Sequence, residues 1–282
     1  MLARRAVLAG LAAAALLPSS AIAATRRIAA IDWGAFETAL ALGLVPVAAT
    51  ELMQFRSIAV EPEVPPGVAD LGLRGAPNLE FLAALRPDLI LISNFYERQR
   101  ANLERIARVL SLPIHATGRQ PYALAEQAAR TLGGVTGRTP QAEALIAAAR
   151  AEIAALRARA RFARPVFVVS IGDARHFRAF GRDSLFGDVL DRLGGSNAWT
   201  QPSAYSAAAP VGIEALARVP EASLAIVAPT PPEAARDLAA SAIWNALPMV
   251  RAGRVAFLPP VDHFGALPAA LRFARALAAA HG

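Results

Sequence analysis

The sequence predicts an α/β protein made of two Rossmann-like lobes that a single long helix joins. A short helix–turn–strand unit occurs twice, over residues 78–93 and again over residues 212–228. Strand and helix patterns alternate in both halves of the chain, and one long helical pattern separates the halves. With 282 residues, the chain is long enough for two domains of ordinary size, each with its own core.

Each copy of the repeated unit consists of a short helix with a Glu near its start, a proline turn and a wholly apolar strand. Glu80 and Glu214 lie at the two helix starts, and the strands cover residues 89–93 and 224–228. A strand without polar alternation is buried on both faces, as in the middle of an α/β layer structure. The repeat therefore predicts two similar lobes, although any two βα units also resemble each other in composition.

The first half of the chain alternates between strand and helix patterns. Gly43 ends the first helix pattern, and a proline-rich loop at residues 61–67 precedes the repeated unit. The predicted strands cover residues 28–32, 45–49, 89–93 and 112–115, and the predicted helices outside the repeat cover residues 35–42, 99–109 and 122–132. This alternation is typical of βαβ units and a parallel sheet.

The longest helical pattern follows Thr139-Pro140, where Thr is a good N-cap and Pro suits the first helical turn. Residues 141–162 contain no Gly or Pro and are rich in strong helix formers. At a rise of 1.5 Å per residue, such a helix is about 33 Å long and can cross from one lobe to the other. We therefore expect an N-terminal lobe at residues 24–138, a connecting helix at 139–162 and a C-terminal lobe at 163–282.

The second half repeats the alternation, with a polar and aromatic loop at residues 197–210 before the second repeated unit. The predicted strands cover residues 166–171, 176–180, 224–228 and 255–258, and the predicted helices cover residues 185–193, 233–240 and 268–280. Two lobes joined by one stiff helix close only to a limited extent. A ligand is expected in the cleft between the lobes, near the strand ends.

Residues 1–23 predict an export signal peptide. Arg4-Arg5 precede an apolar run over residues 6–17, and Ala21-Ile22-Ala23 is a small-x-small cleavage site. The segment fits a Tat-like (twin-arginine) signal loosely and an ordinary Sec signal equally well. No apolar stretch after residue 24 reaches the roughly 18 residues that a membrane helix needs. The expected location is a bacterial periplasm.

The composition argues against nucleic-acid binding and against a directly bound metal. The net charge is +7 and all 29 basic residues are Arg, but they are spread along helices near acidic residues instead of clustering with aromatic ones. The four His residues lie far apart and lack the spacing of metal ligands. The chain has no Cys, so it forms no disulfide. No cofactor is expected.

An exported hydrolase is the alternative from another functional class. The chain lacks Cys, a Gly-x-Ser-x-Gly nucleophile elbow and a His-Glu-x-x-His motif. Ser170 or Ser184 could be combined with His176 and Asp173 as a triad, but their spacing matches no known template. The sequence therefore favours a non-catalytic protein.

Several short motifs follow one another along the chain. They are Asp70-Leu71-Gly72-Leu73-Arg74, Pro77-Asn78-Leu79-Glu80, Leu85-Arg86-Pro87-Asp88-Leu89-Ile90, Arg175-His176, Phe180-Gly181, Ser184-Leu185-Phe186 and Asn197-Ala198-Trp199. In order and spacing across residues 27–280 they resemble the periplasmic ferric hydroxamate-siderophore-binding proteins, which are helical-backbone substrate-binding proteins of ABC importers. The ordered set is more specific than any single motif. The resemblance implies a monomer that binds an iron(III)–siderophore and delivers it to an inner-membrane ABC permease. Haem, cobalamin or another metal chelate are alternative ligands.

The resemblance also implies which residues contact the chelate. Arg74 matches a ligand-contacting arginine whose guanidinium donates to hydroxamate oxygens, while Tyr96 and Trp199 match aromatic residues of the cleft. The predicted ligand-binding residues are Arg74, Tyr96, Trp33, Ile58, Arg178, Trp199, Tyr205, Ser206, His263 and Phe264. The alternatives are a surface ion pair for Arg74 and half-buried packing for Tyr96.

The predicted pocket departs from the family's pattern at four positions. Ile58, Ser206 and Asp262 stand where such proteins carry cleft tryptophans, and Phe264 replaces a tyrosine. Fewer large aromatic walls should reshape the contact area for an apolar chelate, so the sequence leaves the siderophore unidentified. His263, within the cleft loop, either contacts the ligand or fills a packing role.

Glu80 and Glu214 match the two lobe-tip glutamates with which such proteins dock onto permease arginines. Two charges at opposite ends of a rigid molecule would steer and orient a docking partner. The alternative is a local role, because Glu is favourable near a helix N-terminus. The two roles are compatible.

Overall fold

The computed structural model describes residues 27–116, 118–203 and 208–282. The predicted export signal at residues 1–23 and the predicted ligand residues Tyr205 and Ser206 lie outside these described residues. The described part of the chain contains two five-stranded sheets, one in each lobe. No helix in it is long and apolar enough to cross a membrane.

The N-terminal lobe is built on a wholly parallel sheet with the strand order β3-β2-β1-β4-β5. Its strands are β1 (Ile28–Ala30), β2 (Ala48–Ala49), β3 (Ala69–Asp70), β4 (Leu89–Ile92) and β5 (Arg108–Ser111). Its helices are α1 (Trp33–Ala41), α2 (Leu52–Ile58), α3 (Leu79–Ala84), α4 (Arg100–Glu104) and α5 (Pro121–Thr136), with a 3₁₀ helix at Asn94–Gln99 before α4.

The C-terminal lobe is built on a mixed sheet with the order β10-β9-β6-β7-β8, in which β7 runs antiparallel to both of its neighbours. Its strands are β6 (Val166–Ile171), β7 (His176–Ala179), β8 (Ala209–Gly212), β9 (Ser223–Val227) and β10 (Val255–Leu258). Its helices are α7 (Leu185–Arg192), α8 (Pro232–Ala240), α9 (Ala242–Ala246), α10 (Pro248–Arg251) and α11 (Leu267–Ala280), with a 3₁₀ helix at Ile213–Arg218.

The long helix α6 (Thr139–Arg159) links the lobes, as the sequence predicts. It begins one residue earlier than a cap at Thr139 would place it, because Arg138 occupies the N-cap position, and Pro140 lies in the first turn. Its buried residues recur every three or four positions and so form one apolar face, which packs against α5 and α11. These residues are Ala142, Ile146, Ala149, Ile153 and Leu156.

The two copies of the repeated unit occupy equivalent places in the two sheets. Strand β4 lies between β1 and β5, and β9 lies in the same way between β6 and β10. Strand β4 is buried throughout and β9 is buried except at Ser223. The first copy begins with an α-helix that Asn78 caps, whereas the second, without a capping side chain, forms a 3₁₀ helix.

The sequence led us to expect a separate core in each lobe, but the cores are partly shared. One face of each sheet contributes to a single apolar core in which Phe36 and Tyr122 of the N-terminal lobe join Phe186 and Phe273 of the C-terminal lobe. Only the opposite face of each sheet is covered by a core of its own. The reason is that α11 packs against α1 and α5 as well as α6 and α7. The single connecting helix α6 is therefore supplemented by the packing of α11 against both lobes.

Polar contacts reinforce this junction. The buried carboxylate of Glu37 on α1 accepts hydrogen bonds from the backbone amides of Ala266 and Ala269, at the start of α11. Burial raises the pKa of Glu37 well above its usual range. At the surface, Arg275 on α11 pairs with Glu61 of the N-terminal lobe and with Glu152 on α6. Both sets of contacts oppose hinge motion between the lobes.

Several elements differ from the sequence expectations. Strand β5 occupies Arg108–Ser111, where the pattern predicts the end of a helix and a strand at residues 112–115. Parallel pairing with β4 stabilises this strand, and such pairing cannot be recognised from local residue propensities. Pro210 lies in β8, although the sequence predicts a loop there. Proline has no backbone N–H, and β8 tolerates it because an edge strand has one side without a neighbouring strand to bond. Helices α2, α9 and α10 are not predicted at all.

Candidate ligand-binding cleft

A cavity of about 210 Å³ lies between the lobes. The N-terminal lobe contributes residues that follow β1 and β3, and the C-terminal lobe contributes the ends of β6 and β9 and the loop after β10. This is the edge at which α/β sheets bind ligands. The lining consists of Trp33, Ile58, Arg74, Ser170, Ile171, Arg178, Phe180, Phe186, Val227, Ala228, Pro229, Val261, Asp262, His263 and Phe264.

Trp33 forms the base of the N-terminal wall. Its side chain is only 2% exposed, and its indole N–H donates to the carbonyl oxygen of Thr50 at 3.0 Å. The ring packs edge-on against Phe55 with centroids 5.4 Å apart. These contacts fix the ring, and the Arg74 guanidinium lies over it at 4.0 Å from the centroid.

Glu51 fixes Arg74 from the other side. The Nε of Arg74 donates to Glu51 Oε2 at 2.7 Å, and its backbone amide donates to Oε1 at 3.0 Å. Glu51 adopts a left-handed backbone conformation, with φ of 51°, just before α2. Arg74 thus forms the ion pair that the sequence left as an alternative, and it lines the cavity as well. The guanidinium is pre-positioned between Trp33 and Glu51.

A buried carboxyl group stands beside this wall. Asp32 caps α1 by accepting from the amide of Ala35 at 2.9 Å, and its second oxygen accepts from the Ser93 hydroxyl at 2.8 Å. Burial raises the pKa of Asp32, against the opposing effect of these hydrogen bonds and of the Arg74 charge. Its position directly before a helix is a sequence signal for an N-cap.

The C-terminal wall holds a second arginine in a different state. Arg178 lies on β7, opposite Ser170 on β6, and its side chain is exposed. It forms no hydrogen bond or ion pair with any other side chain in the described ranges. The Ser170 hydroxyl is buried and likewise lacks a partner there. Within the residues that the structure describes, this wall therefore presents polar groups without side-chain partners.

The loop after β10 completes the cavity with Asp262, His263 and Phe264. Oδ1 of Asp262 accepts from the Phe264 amide at 3.1 Å and so fixes the turn. Burial raises the pKa of Asp262 to about 6. Burial, helped by the nearby charge of Arg178, lowers the pKa of His263 to about 3. At neutral pH His263 is therefore an uncharged ring.

Aromatic rings connect the two walls. Phe95 and His115 of the N-terminal lobe contact Phe264 with centroids 5.3 and 5.8 Å apart. Phe264 contacts His263 at 4.2 Å, and His263 contacts Phe180 at 5.4 Å. Burial lowers the pKa of His115 to about 4, which keeps this ring neutral too. The resulting surface is apolar and suits the hydrocarbon parts of a ligand.

A second and more polar space of about 540 Å³ lies between Asn94 and His115 of one lobe and Arg182 and Asp183 of the other. Its wall also includes residues 200–203, which directly precede the undescribed residues 204–207. The smaller cavity is the better candidate site because it contains an arginine from each lobe together with the aromatic rings.

Glu80 and Glu214 lie away from the cavity. Both are exposed, and neither forms an ion pair with a described residue. Asn78, not Glu80, caps α3, since its Oδ1 accepts from the Phe81 amide at 2.9 Å. The Glu214 carboxylate folds back over Gly212, where a Cβ atom would collide with it. At α3 the capping hydrogen bond thus comes from Asn78, while Glu80 lies in the first helical turn.

The residues of the imagined hydrolase triad are not assembled. Ser184 caps α7, and its hydroxyl donates to Gly181 O at 2.6 Å. His176 contacts Asp173 with Nδ1 2.8 Å from Oδ2, but both residues are exposed, Asp173 in the turn before β7 and His176 at the start of that strand. Within the described ranges no group of three or more His, Asp or Glu residues is placed to hold a metal ion.

Comparison with known proteins decides the family. The family model described as periplasmic binding protein matches residues 28–261. The chain belongs to the periplasmic binding protein family. The iron(3+)-hydroxamate-binding protein FhuD of Escherichia coli K12 is 32% identical over 253 residues, which cover 89% of this chain and 85% of that protein.

Solved structures of periplasmic binding proteins agree with the fold. The Fe³⁺–Desferal-bound siderophore-binding protein FhuD from Vibrio cholerae matches with a TM-score of 0.86 and 29% identity, over 91% of this chain and 98% of that chain. The triscatecholate siderophore-binding protein FeuA from Bacillus subtilis matches with a TM-score of 0.71 and 18% identity, over 90% and 91% of the two chains, and shares the fold. The predicted family and the predicted two-lobed α/β fold are confirmed.

Six of the predicted ligand residues of this periplasmic binding protein meet in the cavity. They are Trp33, Ile58, Arg74, Arg178, His263 and Phe264. Tyr96 and Trp199 do not line it, because Tyr96 packs against the outer core of the N-terminal lobe and Trp199 against that of the C-terminal lobe. Burial raises the pKa of Tyr96 to about 12. Ligand contact by these two residues stays a prediction.

Sequence reasoning missed other residues of the lining, notably Ser170, Phe180 and Phe186. Phe180 and Phe186 occurred in the motifs that carry the resemblance, but nothing local to them indicated a cavity. For Asp262, a carboxylate within an apolar loop is the sequence signal that could have identified it.

Proposed function

We propose that this protein captures an iron(III)–siderophore chelate of the hydroxamate class in the inter-lobe cavity and delivers it, without catalysis, to an inner-membrane ABC permease. The observation that carries this proposal is that Arg74 from one lobe and Arg178 from the other line the same aromatic cavity. The similarity to an E. coli iron(3+)-hydroxamate-binding protein supports the same ligand class.

The chemistry of the lining suits such a chelate. Guanidinium groups donate several hydrogen bonds in a fixed geometry, which fits the oxygens that surround a hydroxamate-bound ferric ion. The rings of Trp33, Phe180 and Phe264 can cover the apolar linkers of the chelate. Because the siderophore occupies the coordination sphere of the iron, the protein needs no metal ligand of its own.

The ligand class is tested by quenching of tryptophan fluorescence, since Trp33 lies in the cavity wall. Ferric desferrioxamine B and ferric trihydroxamates of other shapes should quench the emission saturably, and their iron-free forms should bind more weakly. Haem, cobalamin and a ferric tris-catecholate serve as competitors from other classes. Tightest binding of haem or cobalamin, or no saturable binding of any ferric hydroxamate, would contradict the proposal.

We further propose that Glu80 and Glu214 are the contacts with the permease. Their exposure, their place at the start of the two repeated units and their lack of ion pairs within the described residues support this role. The variant Glu80→Ala/Glu214→Ala should bind the chelate as the wild type does, yet transport it poorly in vesicles that contain the permease. Charge reversal of both residues to Arg should impair transport further. Normal transport by the reversed variant would leave both residues a local role only.

The remaining expectations form part of the same proposal. The protein acts as a monomer in the periplasm, after removal of residues 1–23 by either the Tat or the Sec route. The lobes correspond to residues 24–138 and 163–282, with the connecting helix at residues 139–162. Sequencing of the mature N-terminus from exported protein should begin at Ala24.

A further inference from the structure

Asp262 has an unsatisfied oxygen in the wall of the cavity. The residue is 3% exposed, and its Oδ1 accepts from the Phe264 amide. Its Oδ2 is buried and has no hydrogen-bond partner within the described residues. A buried carboxylate oxygen without a partner is costly, and native proteins rarely keep one without a reason.

The surrounding charges do not compensate this oxygen. The charge of Arg74 favours the ionised form of Asp262, but the Nε of Arg74 is already paired with Glu51. Asp32 disfavours the ionised form of Asp262, and Asp262 in turn acts on the buried Glu37 in the same sense. The free protein therefore holds a carboxyl group that a positively charged or hydrogen-donating ligand group would stabilise.

A second polar group without a hydrogen-bond partner among the described residues lines the same cavity. The Ser170 hydroxyl is buried, lines the cavity and has no partner among the residues that the structure describes. A hydroxyl accepts as well as donates, whereas an ionised carboxylate only accepts. The ligand group that complements both is a donor with more than one hydrogen, and a primary ammonium has three.

We propose that Asp262 is a specificity residue that accepts a hydrogen bond from a primary ammonium group carried by the chelate. This inference rests on the proposed function and specifies its ligand. Arg178 would take the oxygen-rich, anionic side of the chelate, and Asp262 would take its cationic substituent. The cavity then distinguishes the two ends of one ligand, so that chelates with a free amine bind better than those with a blocked one.

The test compares two ligands that differ at one group. Ferric desferrioxamine B carries a terminal ammonium, and its N-acetyl derivative carries a neutral amide in the same place. Isothermal titration of the wild type should show at least about tenfold tighter binding of the ammonium form, as expected when a charge-assisted hydrogen bond is lost. This comparison requires no variant, so it holds even if a substitution disturbs folding.

The variant Asp262→Asn provides the second arm. Its side-chain oxygen can still accept from the Phe264 amide, while the orphan Oδ2 is replaced by a donor. It should bind both chelates with similar affinity. At pH 7, where the stability contribution of protonated Asp262 is lost, its thermal unfolding should resemble that of the wild type. Equal affinity of the wild type for the two chelates would overturn the inference, as would an equal loss for both in the variant. Failure of the wild type to bind either chelate would instead overturn the proposed function, and this inference with it.

Discussion

Arg74 and Arg178 face the same cavity from opposite lobes, but the lobes treat them differently. Arg74 stacks on a buried tryptophan and is bonded to Glu51, whereas Arg178 makes no bond to another side chain within the described ranges. The sheets of the two lobes also differ in strand direction. The N-terminal sheet is wholly parallel and covered by helices, while Arg178 stands on an antiparallel strand near the sheet edge.

This difference suggests a division of labour between the walls. A side chain that is already fixed loses little rotamer freedom when ligand binds, whereas immobilising a free one costs about 0.5–1.5 kcal/mol. The N-terminal wall therefore offers a prepared anchor, and the C-terminal wall can adapt to chelates of different shape. The experiments below test that contrast, beginning with the largest expected effect.

Trp33 and Trp199 should differ sharply in their contribution to stability. Trp33 is buried, and its N–H is bonded to Thr50, while Trp199 is partly exposed and its N–H lacks a partner within the described part of the chain. Trp33→Ala should lower the free energy of unfolding by about 3–5 kcal/mol, and Trp199→Ala by distinctly less. Urea denaturation measures both. Equal losses would show that Trp33 is held no more firmly than Trp199, and would contradict a rigid N-terminal wall.

Releasing Arg74 should make the N-terminal wall resemble the C-terminal one. In Glu51→Ala the guanidinium loses its partner, so ordering it on binding should weaken affinity for ferric desferrioxamine B by about threefold to tenfold. Glu97→Ala is the matched control, because Glu97 pairs with Arg100 on the same lobe but outside the cavity. Isothermal titration in which both variants bind like the wild type would contradict the idea of a prepared anchor.

The buried groups of the loop after β10 should give opposite pH dependences of stability. The pKa of His263 falls from 6.5 to about 3, so its contribution is present above pH 6.5 and is lost as the pH falls towards 3. The pKa of Asp262 rises from 3.8 to about 6, so its contribution is present below pH 3.8 and is lost as the pH rises through 6. Each must be tested by its own substitution.

Chemical denaturation between pH 4 and 7.5 separates the two contributions. The stability advantage of the wild type over His263→Gln should shrink as the pH falls below 6.5. The advantage of the wild type over Asp262→Asn should shrink as the pH rises towards 6. Stability curves that run parallel to the wild type over this range would mean that neither group titrates differently in the folded and unfolded states.

Ligand should change the angle between the lobes least of all. The shared core, the contacts of Glu37 with the start of α11 and the pairs of Arg275 all join the lobes alongside α6. Small-angle scattering profiles with and without ferric desferrioxamine B should superimpose. A clear compaction on binding would show that the C-terminal wall adapts by hinge closure and not by side-chain movement.

The sequence was informative where the pattern is local. The apolar strands β4 and β9 and the helix α6 could be predicted because burial and helix propensity appear in consecutive residues. Strand β5 could not, because it depends on pairing with β4. Likewise the shared core depends on where α11 docks, which no short segment encodes.

The site divides along the same line. Arg74 could be identified from a motif. Its partner Glu51, however, lies 23 residues away in the sequence, and Glu51 has a left-handed backbone conformation. That Asp262 Oδ2 has no partner among the described residues follows from the folded cavity alone. Motifs indicate which residues are candidates for ligand contact. Whether each side chain already has hydrogen-bond or ion-pair partners in the free protein can be learned only from the structure.

The central claim is that one chelate bridges an arginine from each lobe. It is tested most directly by titrating ferric desferrioxamine B into Arg74→Ala, Arg178→Ala and the double variant. Each single substitution should cost about 1.5–3 kcal/mol, or roughly tenfold or more in affinity, and the double variant should bind more weakly than either. If either single variant binds as tightly as the wild type, the chelate does not lie between the two arginines and the account is contradicted.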